Sequence, residues 1–235
     1  MSDELIFNGT NFADFNTYFD GSKSFLTPEK DVEFVDVPGR SGTLSFDNHR
    51  FHDVIVPYPC FIKSNFLQNF RALENYLYAQ TGFQRLECSK EPGHYRMAQF
   101  VSVIEPETTA FNKAGFFTIN FRCHPQRWLV SGEGIYAITS GSAIENPTRF
   151  ESYPVLRVEG SGSLMLSNIT ITIAENDFEY IDIDCETMDA YYYSNNANSF
   201  VSFNTDSRIV LYPGSTGITF SGLTSVQIQP RWYEV

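Results

Sequence analysis

Basic side chains are scarce in this 235-residue sequence: 16 Lys and Arg stand against 28 Asp and Glu, a net charge of −12. Affinity for nucleic acid comes mainly from Lys and Arg neutralising phosphates, so this balance argues against a nucleic-acid binder. It equally opposes docking on an anionic membrane surface. Long apolar runs are missing too, since no stretch approaches the ~18 consecutive apolar residues of a spanning helix. The opening MSDELIFNGT lacks the basic and apolar regions of a signal peptide. The expectation is therefore a chain made and kept in a cytoplasm, or released by a route other than the secretory signal. Cysteine is sparse as well: Cys60, Cys88, Cys123 and Cys185 lie far apart, with no C-x-x-C pair. Scattered in this way in a reducing compartment, they read as small core residues. Only Cys123 and His124 bring two possible zinc ligands together, and adjacency is not ligand spacing.

Catalytic signatures are equally thin. No G-x-S-x-G elbow occurs: the surroundings of Ser41 read GRSGT and those of Ser161 read EGSGS. His49, His52, His94 and His124 are the only histidines, and the first two are three residues apart, which on a strand or loop places no shared metal. No Walker loop or dinucleotide fingerprint appears. The reading is a non-enzyme with no catalytic residue and no cofactor.

What the sequence does have is apolar and aromatic material, 42 % and 16 % of residues, with 22 Phe and 13 Tyr. That is far above what a disordered chain carries. Period-two patterning dominates. Val54, Val56, Tyr58, Cys60 and Ile62 alternate with other residues, although Pro57 and Pro59 suit an edge strand at best. Phe117, Ile119, Phe121 and Cys123 alternate with polar residues, as do Ile169, Ile171 and Ile173. Further strands are expected at 32–37, 83–88, 99–104, 155–159, 180–184, 200–203, 209–212 and 225–229. One segment departs: over 65–80, Phe66, Phe70, Leu73 and Leu77 fall on a single helical face, with Ser64 placed as cap and Gly82 as terminator. Many short strands separated by turn residues and one helix point to an all-β chain of two β-sandwich domains. The first domain is expected over 1–130 and contains the helix, 131–147 reads as a Gly- and Ser-rich linker, and the second covers 148–235. The first 130 residues carry −3 and the remainder −9, so the second half is a distinct acidic module of a size suited to one sandwich.

Three clusters are candidates for more than packing. Asp182, Asp184 and Glu186 belong to seven acids between Glu175 and Asp189 with no Lys or Arg among them, a density that can hold calcium. The EF-hand pattern fails, however, with Thr187 at position six and Tyr193 at position twelve, and a solvated acidic edge is the plainer reading. The same Asp182 and Asp184 form the only carboxylate pair worth weighing for glycoside hydrolysis, but an alternating strand puts acids on its solvent face by default. Tyr191, Tyr192 and Tyr193 are core, interface or a sugar-stacking platform. Finally, VDVPGRSGTLSF reads as strand, turn, strand: Pro38 and Gly39 set the turn, Gly42 allows a second positive φ, and Arg40 projects from the tip beside Ser41. A guanidinium there can make bidentate contacts to a neighbouring chain, which makes Pro38 to Gly42 subunit-interface candidates.

Taken in order, several segments resemble one family, the distal tail (Dit) proteins of long-tailed siphophages and related prophages. They are VPGRSGTL (37–44), the helix after CFIKSN (60–65), INFRCHPQRW (119–128) and NPTRFESYPVLRVEGSGSLML (146–166). The series continues through YIDID (180–184), LYPGSTGITFSG (211–222) and VQIQPRWYEV (226–235), nearly the whole chain.

The resemblance implies a virion protein at the distal end of a phage tail, made in the bacterial host cytoplasm. It implies a homohexameric ring with one face on the tail tube protein and the other on the tail-associated fibre or lysin protein, receptor-binding parts attaching outside. It further implies a ring-forming first domain, a galectin-like second domain projecting outward, a last strand free to return to the first domain, and a central channel through which DNA passes without specific binding. The rival readings are a monomeric carbohydrate-binding module for host cell-wall attachment, using Tyr191 to Tyr193, and a lysin-type hydrolase, which would need a buried acidic pair or a metal site.

Overall fold

Alternating apolar residues have to find a sheet to face, and here they find two. The computed structural model describes residues 4–21, 26–108, 113–205 and 207–235. It divides into two units, one running to Arg127 and including Val235, the other Trp128–Glu234. The first holds β1 (Leu5–Phe7), β2 (Thr10–Asn11), β3 (Thr17–Phe19), β4 (Lys30–Asp36), β5 (Thr43–Phe51), β6 (Val54–Ile62), helix α1 (Phe66–Ala79), β7 (Gln84–Cys88), β8 (His94–Phe100), β9 (Glu107–Thr108) and most of β10 (Gly115–Leu129). The second holds β11 (Tyr136–Ala137), β12 (Ser142–Asn146), β13 (Val155–Leu166), β14 (Ile169–Ile173), β15 (Ile181–Asp184), β16 (Asp189–Tyr192), β17 (Asn195–Asn196), β18 (Val201–Phe203), β19 (Gly214–Gln229) and β20 (Tyr233–Glu234). The expected fold class, all-β with one helix, is what the chain adopts.

In the first unit the strands run β2-β1-β7-β8-β10-β6-β3, with β9 added beside β10. Strand β6 pairs along its whole length with β10, but with β3 only at residues 60–62. Pro57 and Pro59 therefore lie where β6 has no second ladder, the position that a residue without an N–H tolerates. The inner residues Val56, Tyr58, Cys60, Ile62, Ile119 and Phe121 are fully buried. Helix α1 lays the expected face, Phe66, Phe70, Leu73 and Leu77, onto this core. The Phe70 ring meets Phe117 at 5.3 Å, edge to face. Burying four such side chains contributes on the order of 6–12 kcal/mol before chain entropy is counted. The cap differs from expectation. Asn65, in the left-handed region, is the N-cap and no side chain caps the helix. Instead the Ser64 carbonyl accepts from the Asn69 side-chain amide at 2.9 Å and from that of Asn16 at 3.1 Å.

The second unit is built on two long strands. In β13, residues 155–158 pair with β15 and residues 162–166 with β14, while β19 follows it along both halves. The ladder shifts register around Glu159 to Ser163, so the halves fold over a shared core that includes Leu156, Leu164, Ile171, Ile183 and Ile228. Glycine makes that bend possible. A Cβ on Gly162 would lie 2.2 Å from the Ser221 carbonyl oxygen, and one on Gly222 would lie 2.8 Å from that of Ser161. The stretch 131–147, read as a linker, is instead part of this unit: β11 and β12 both pair with β19. The unit boundary falls earlier, between Arg127 and Trp128. Strand 99–104 also needs correcting, since β8 ends at Phe100. Residues 209–212 form no strand, only a bridge between Leu211 and Ser152. All four cysteines are buried and unbridged, and burial pushes the Cys60 and Cys185 thiols well up.

Candidate assembly interface

Strands β4 and β5 form a two-stranded sheet that pairs with no other strand among the described residues. No residue of either strand is buried. The register sets Phe34 opposite Ser45, Glu33 opposite Phe46 and Val35 opposite Leu44. Directly paired residues share a face, so Val35, Leu44 and Phe46 line one side and Phe34 the other. Phe34 is 66 % exposed and Phe46 53 %. A lone ribbon of this kind is marginal in water, and its two apolar faces are open.

Charges fix its base. Asp31 accepts from Arg50 and from the Asn48 amide, and Lys30 pairs with Asp47 at 3.5 Å. The Arg50 hydrogen bond, followed by that of Asn48, holds the Asp31 carboxyl below its ordinary range. At the other end the Arg40 amide donates to the Val37 carbonyl at 3.1 Å, with Gly39 at φ 79° and Gly42 at φ 83°. That is a type II turn, with Pro at its second position and Gly at its third. Pro38, Gly39, Arg40, Ser41 and Gly42 are all exposed. The Arg40 guanidinium has no anionic partner among the described residues.

A second open area lies on the outer face of the first unit's sheet. Tyr18, Phe61 and Phe116 stand side by side across β3, β6 and β10, and Glu107 follows across from Phe116. Their rings are 5.8 and 6.0 Å apart, and the Lys63 ammonium sits 4.0 Å from the Tyr18 ring. Nothing in the one-dimensional pattern marked this row, because each residue occupies the outward position of a strand where polar residues are the norm.

The acidic cluster of the second unit is not the calcium site that Asp182, Asp184 and Glu186 were weighed for. Asp182 accepts from Arg157 at 2.7 and 2.8 Å, and Asp184 accepts from Arg231 at 3.1 and 2.8 Å. Glu186 stands 3.7 Å from Arg231. Two guanidiniums already occupy the oxygens a cation would need, and no metal-holding group of three occurs among the described residues. Nor is Asp182 solvated as its alternation suggested: it is 8 % exposed. It lies in a polar row across the sheet, Gln227, Arg157, Asp182, Tyr191 and Asn196, along a depression of about 170 Å³.

The three tyrosines do not form one platform. Tyr191 belongs to that row, Tyr192 stacks on Phe178 at 5.0 Å, and the Tyr193 ring is turned 70° from that of Tyr192. Only Tyr193 is well exposed, at 66 %.

No family model matches the sequence, and no curated protein matches it. Solved structures do. The Dit protein of phage SPP1, described as a paradigm of the hub adsorption apparatus in phages infecting Gram-positive bacteria, superposes with a TM-score of 0.75 at 11 % identity, covering 100 % of both chains. A chain of the phage P2 baseplate in its activated conformation with Ca matches with a TM-score of 0.54 at 10 % identity, covering 99 % of this chain and 98 % of that one. The corresponding baseplate with Sr gives 0.55 at 10 % identity, over 100 % and 98 %. Among the described residues no helix is long and apolar enough to cross a membrane. From end to end, this chain carries the fold of the SPP1 distal tail protein.

Proposed function

We propose that this chain is a structural, non-enzymatic component of a phage tail tip. Six copies close into a ring that joins the tail tube to the fibre or lysin protein and receptor-binding parts, with a channel for DNA at its centre. The observation that carries the reading is the β4–β5 ribbon. It exposes Phe34, Val35 and Phe46, and none of its residues is buried, which is the kind of apolar surface that marks a contact with another chain. The end-to-end fold likeness to a hub protein supports the location. A cyclic ring needs two different complementary patches per subunit, a head-to-tail contact that closes. In this reading the first unit builds the ring and the second, a galectin-like sandwich, lies outside it.

The charge split suits a conduit. The first 130 residues carry −3, so six copies sum to about −18 and the ring half does not hold passing DNA. Multi-angle light scattering of the purified chain tests the proposal. The expected mass is six times 26.8 kDa, and negative-stain images should show rings. A particle of one chain mass that binds host-wall polysaccharide would favour the monomeric sugar-binding reading instead. A lumen lined with unpaired Lys or Arg would overturn the conduit.

A further inference from the structure

On the basis of that ring reading, we infer that the hairpin tip of one copy is received by a groove on the first unit of the next copy, with Arg40 placed between Glu105 and Glu107. The groove has a volume of about 410 Å³, and Asp20, Pro59, Val103, Glu105, Glu107 and Phe116 are among the residues that line it. It continues the outward aromatic row, since Glu107 stands across from Phe116 and Phe116 across from Phe61.

Two mismatches in the free chain cancel when groove and hairpin meet. The first is electrical. Glu105 and Glu107 are both exposed with no cation paired to either among the described residues, and Arg40 is exposed with no anion among them. The other cations of the ribbon, Lys30 and Arg50, are already held by Asp47 and Asp31. Arg40 is the tip's own cation; Asp36 and Glu33 on the strand behind it are exposed too, so the match is local rather than one of net charge, a guanidinium fork set against two carboxylates. The second mismatch is apolar. Val103 is 74 % exposed and Phe116 58 %, in the same groove as the acids; Phe34 and Val35, exposed to 66 % and 39 %, lie just behind the tip. The volume accommodates a turn and a few side chains, not a folded domain. The hairpin and the groove are different surfaces of the same unit, as a closing head-to-tail contact demands.

Charge exchange tests the assignment. R40E and the pair E105R/E107R, each measured by mass photometry across a dilution series, should raise the ring's dissociation midpoint at least tenfold. The chain carrying all three changes should return to within about threefold of the original midpoint. The substituted side chains have no partners in the free chain, so the monomer's melting temperature should stay put. In a second readout, an R40C chain mixed with an E105C chain should form a disulfide-linked pair of twice the chain mass under mild oxidation, and neither chain should do so alone. If the unsubstituted chain is a ring but the triple variant is no better assembled than R40E, and the mixed cysteine chains do not link, the groove is wrong and the ring stands. If the unsubstituted chain remains at one chain mass, the ring reading falls and the groove falls with it.

Discussion

Replacing Phe46 by Ser separates a ring contact from a folding contact. Phe46 is 53 % exposed on the face it shares with Val35 and Leu44. Covering that half of the ring contributes about half of the ~1.5–3 kcal/mol for burying a whole Phe, so at the upper end about 1.4 kcal/mol is lost per contact on substitution, a factor of about ten. A closed hexamer has six contacts but assembles in five association steps. The midpoint concentration therefore moves by the six-fifths power of that factor, about 16-fold. The assay is a dilution series read by mass photometry or sedimentation, beside a thermal melt of the dilute monomer. The melt should move by less than about 1 °C, because surface substitutions away from packing features are close to neutral. An unchanged midpoint would refute the reasoning. So would a large loss of monomer stability, which would mean that the ribbon is already packed within its own chain.

Three other outcomes follow from the same fold. R157L should destabilise the second unit by about 2 kcal/mol, below the ~3–5 of a fully buried pair because Arg157 is partly exposed; urea melts should show R157L/D182N recovering most of it, and no recovery would mean that Arg157 acts through packing alone. G162A forces a Cβ toward the Ser221 carbonyl at 2.2 Å, so a loss of about 1–3 kcal/mol is expected in the same melts, and a neutral result would show that the bend can relax. The Asp31 carboxyl is held below its ordinary 3.8, so its contribution to the hairpin base is present above that value and is lost as pH falls through the lowered one; interstrand NOEs between β4 and β5 near Asp31 should hold from pH 6 down to 3.8, weaken as acidification continues through the lowered value, and become pH-independent in D31N, and NOEs unchanged over the whole descent in the unsubstituted chain would dismiss the role.

Much of the fold was legible because burial follows periodicity. The stripe Phe66, Phe70, Leu73 and Leu77 and the alternation in β6 and β10 report directly which faces are covered. Where alternation misled, the missing element was a partner. Val101 and Val103 alternate like a strand yet are exposed, because no ladder reaches them in the single chain. Ile209 and Leu211 alternate and are fully buried, yet they meet only one bridge, since a loop can turn apolar residues inward without pairing. Gly and Ser in 131–147 look like a linker, but β12 needs only five residues to join β19.

The candidate site divides along the same line. Hairpin turn chemistry is local, so Pro38, Gly39 and Gly42 specify the tip without help from distant chain. The acids of 175–189 are not local in this sense. No cation stands within that segment, which is why it looks like bare charge, yet antiparallel register brings Arg157 opposite Asp182 from 25 residues away and the fold brings Arg231 to Asp184 from 47 away. Pairing of this kind removes charge that composition counts as exposed. Asp182 and Asp184 are therefore structural ties within and beside the second unit's sheet, and the acidity it presents outward comes from other residues, Glu175, Asp177 and Glu179 among them. By contrast, Arg40, Glu105 and Glu107 have no charge partner among the described residues of the single chain. Unpaired charge beside exposed apolar side chains is the combination that a contact between copies can use, and it occurs here on two separate surfaces of one unit.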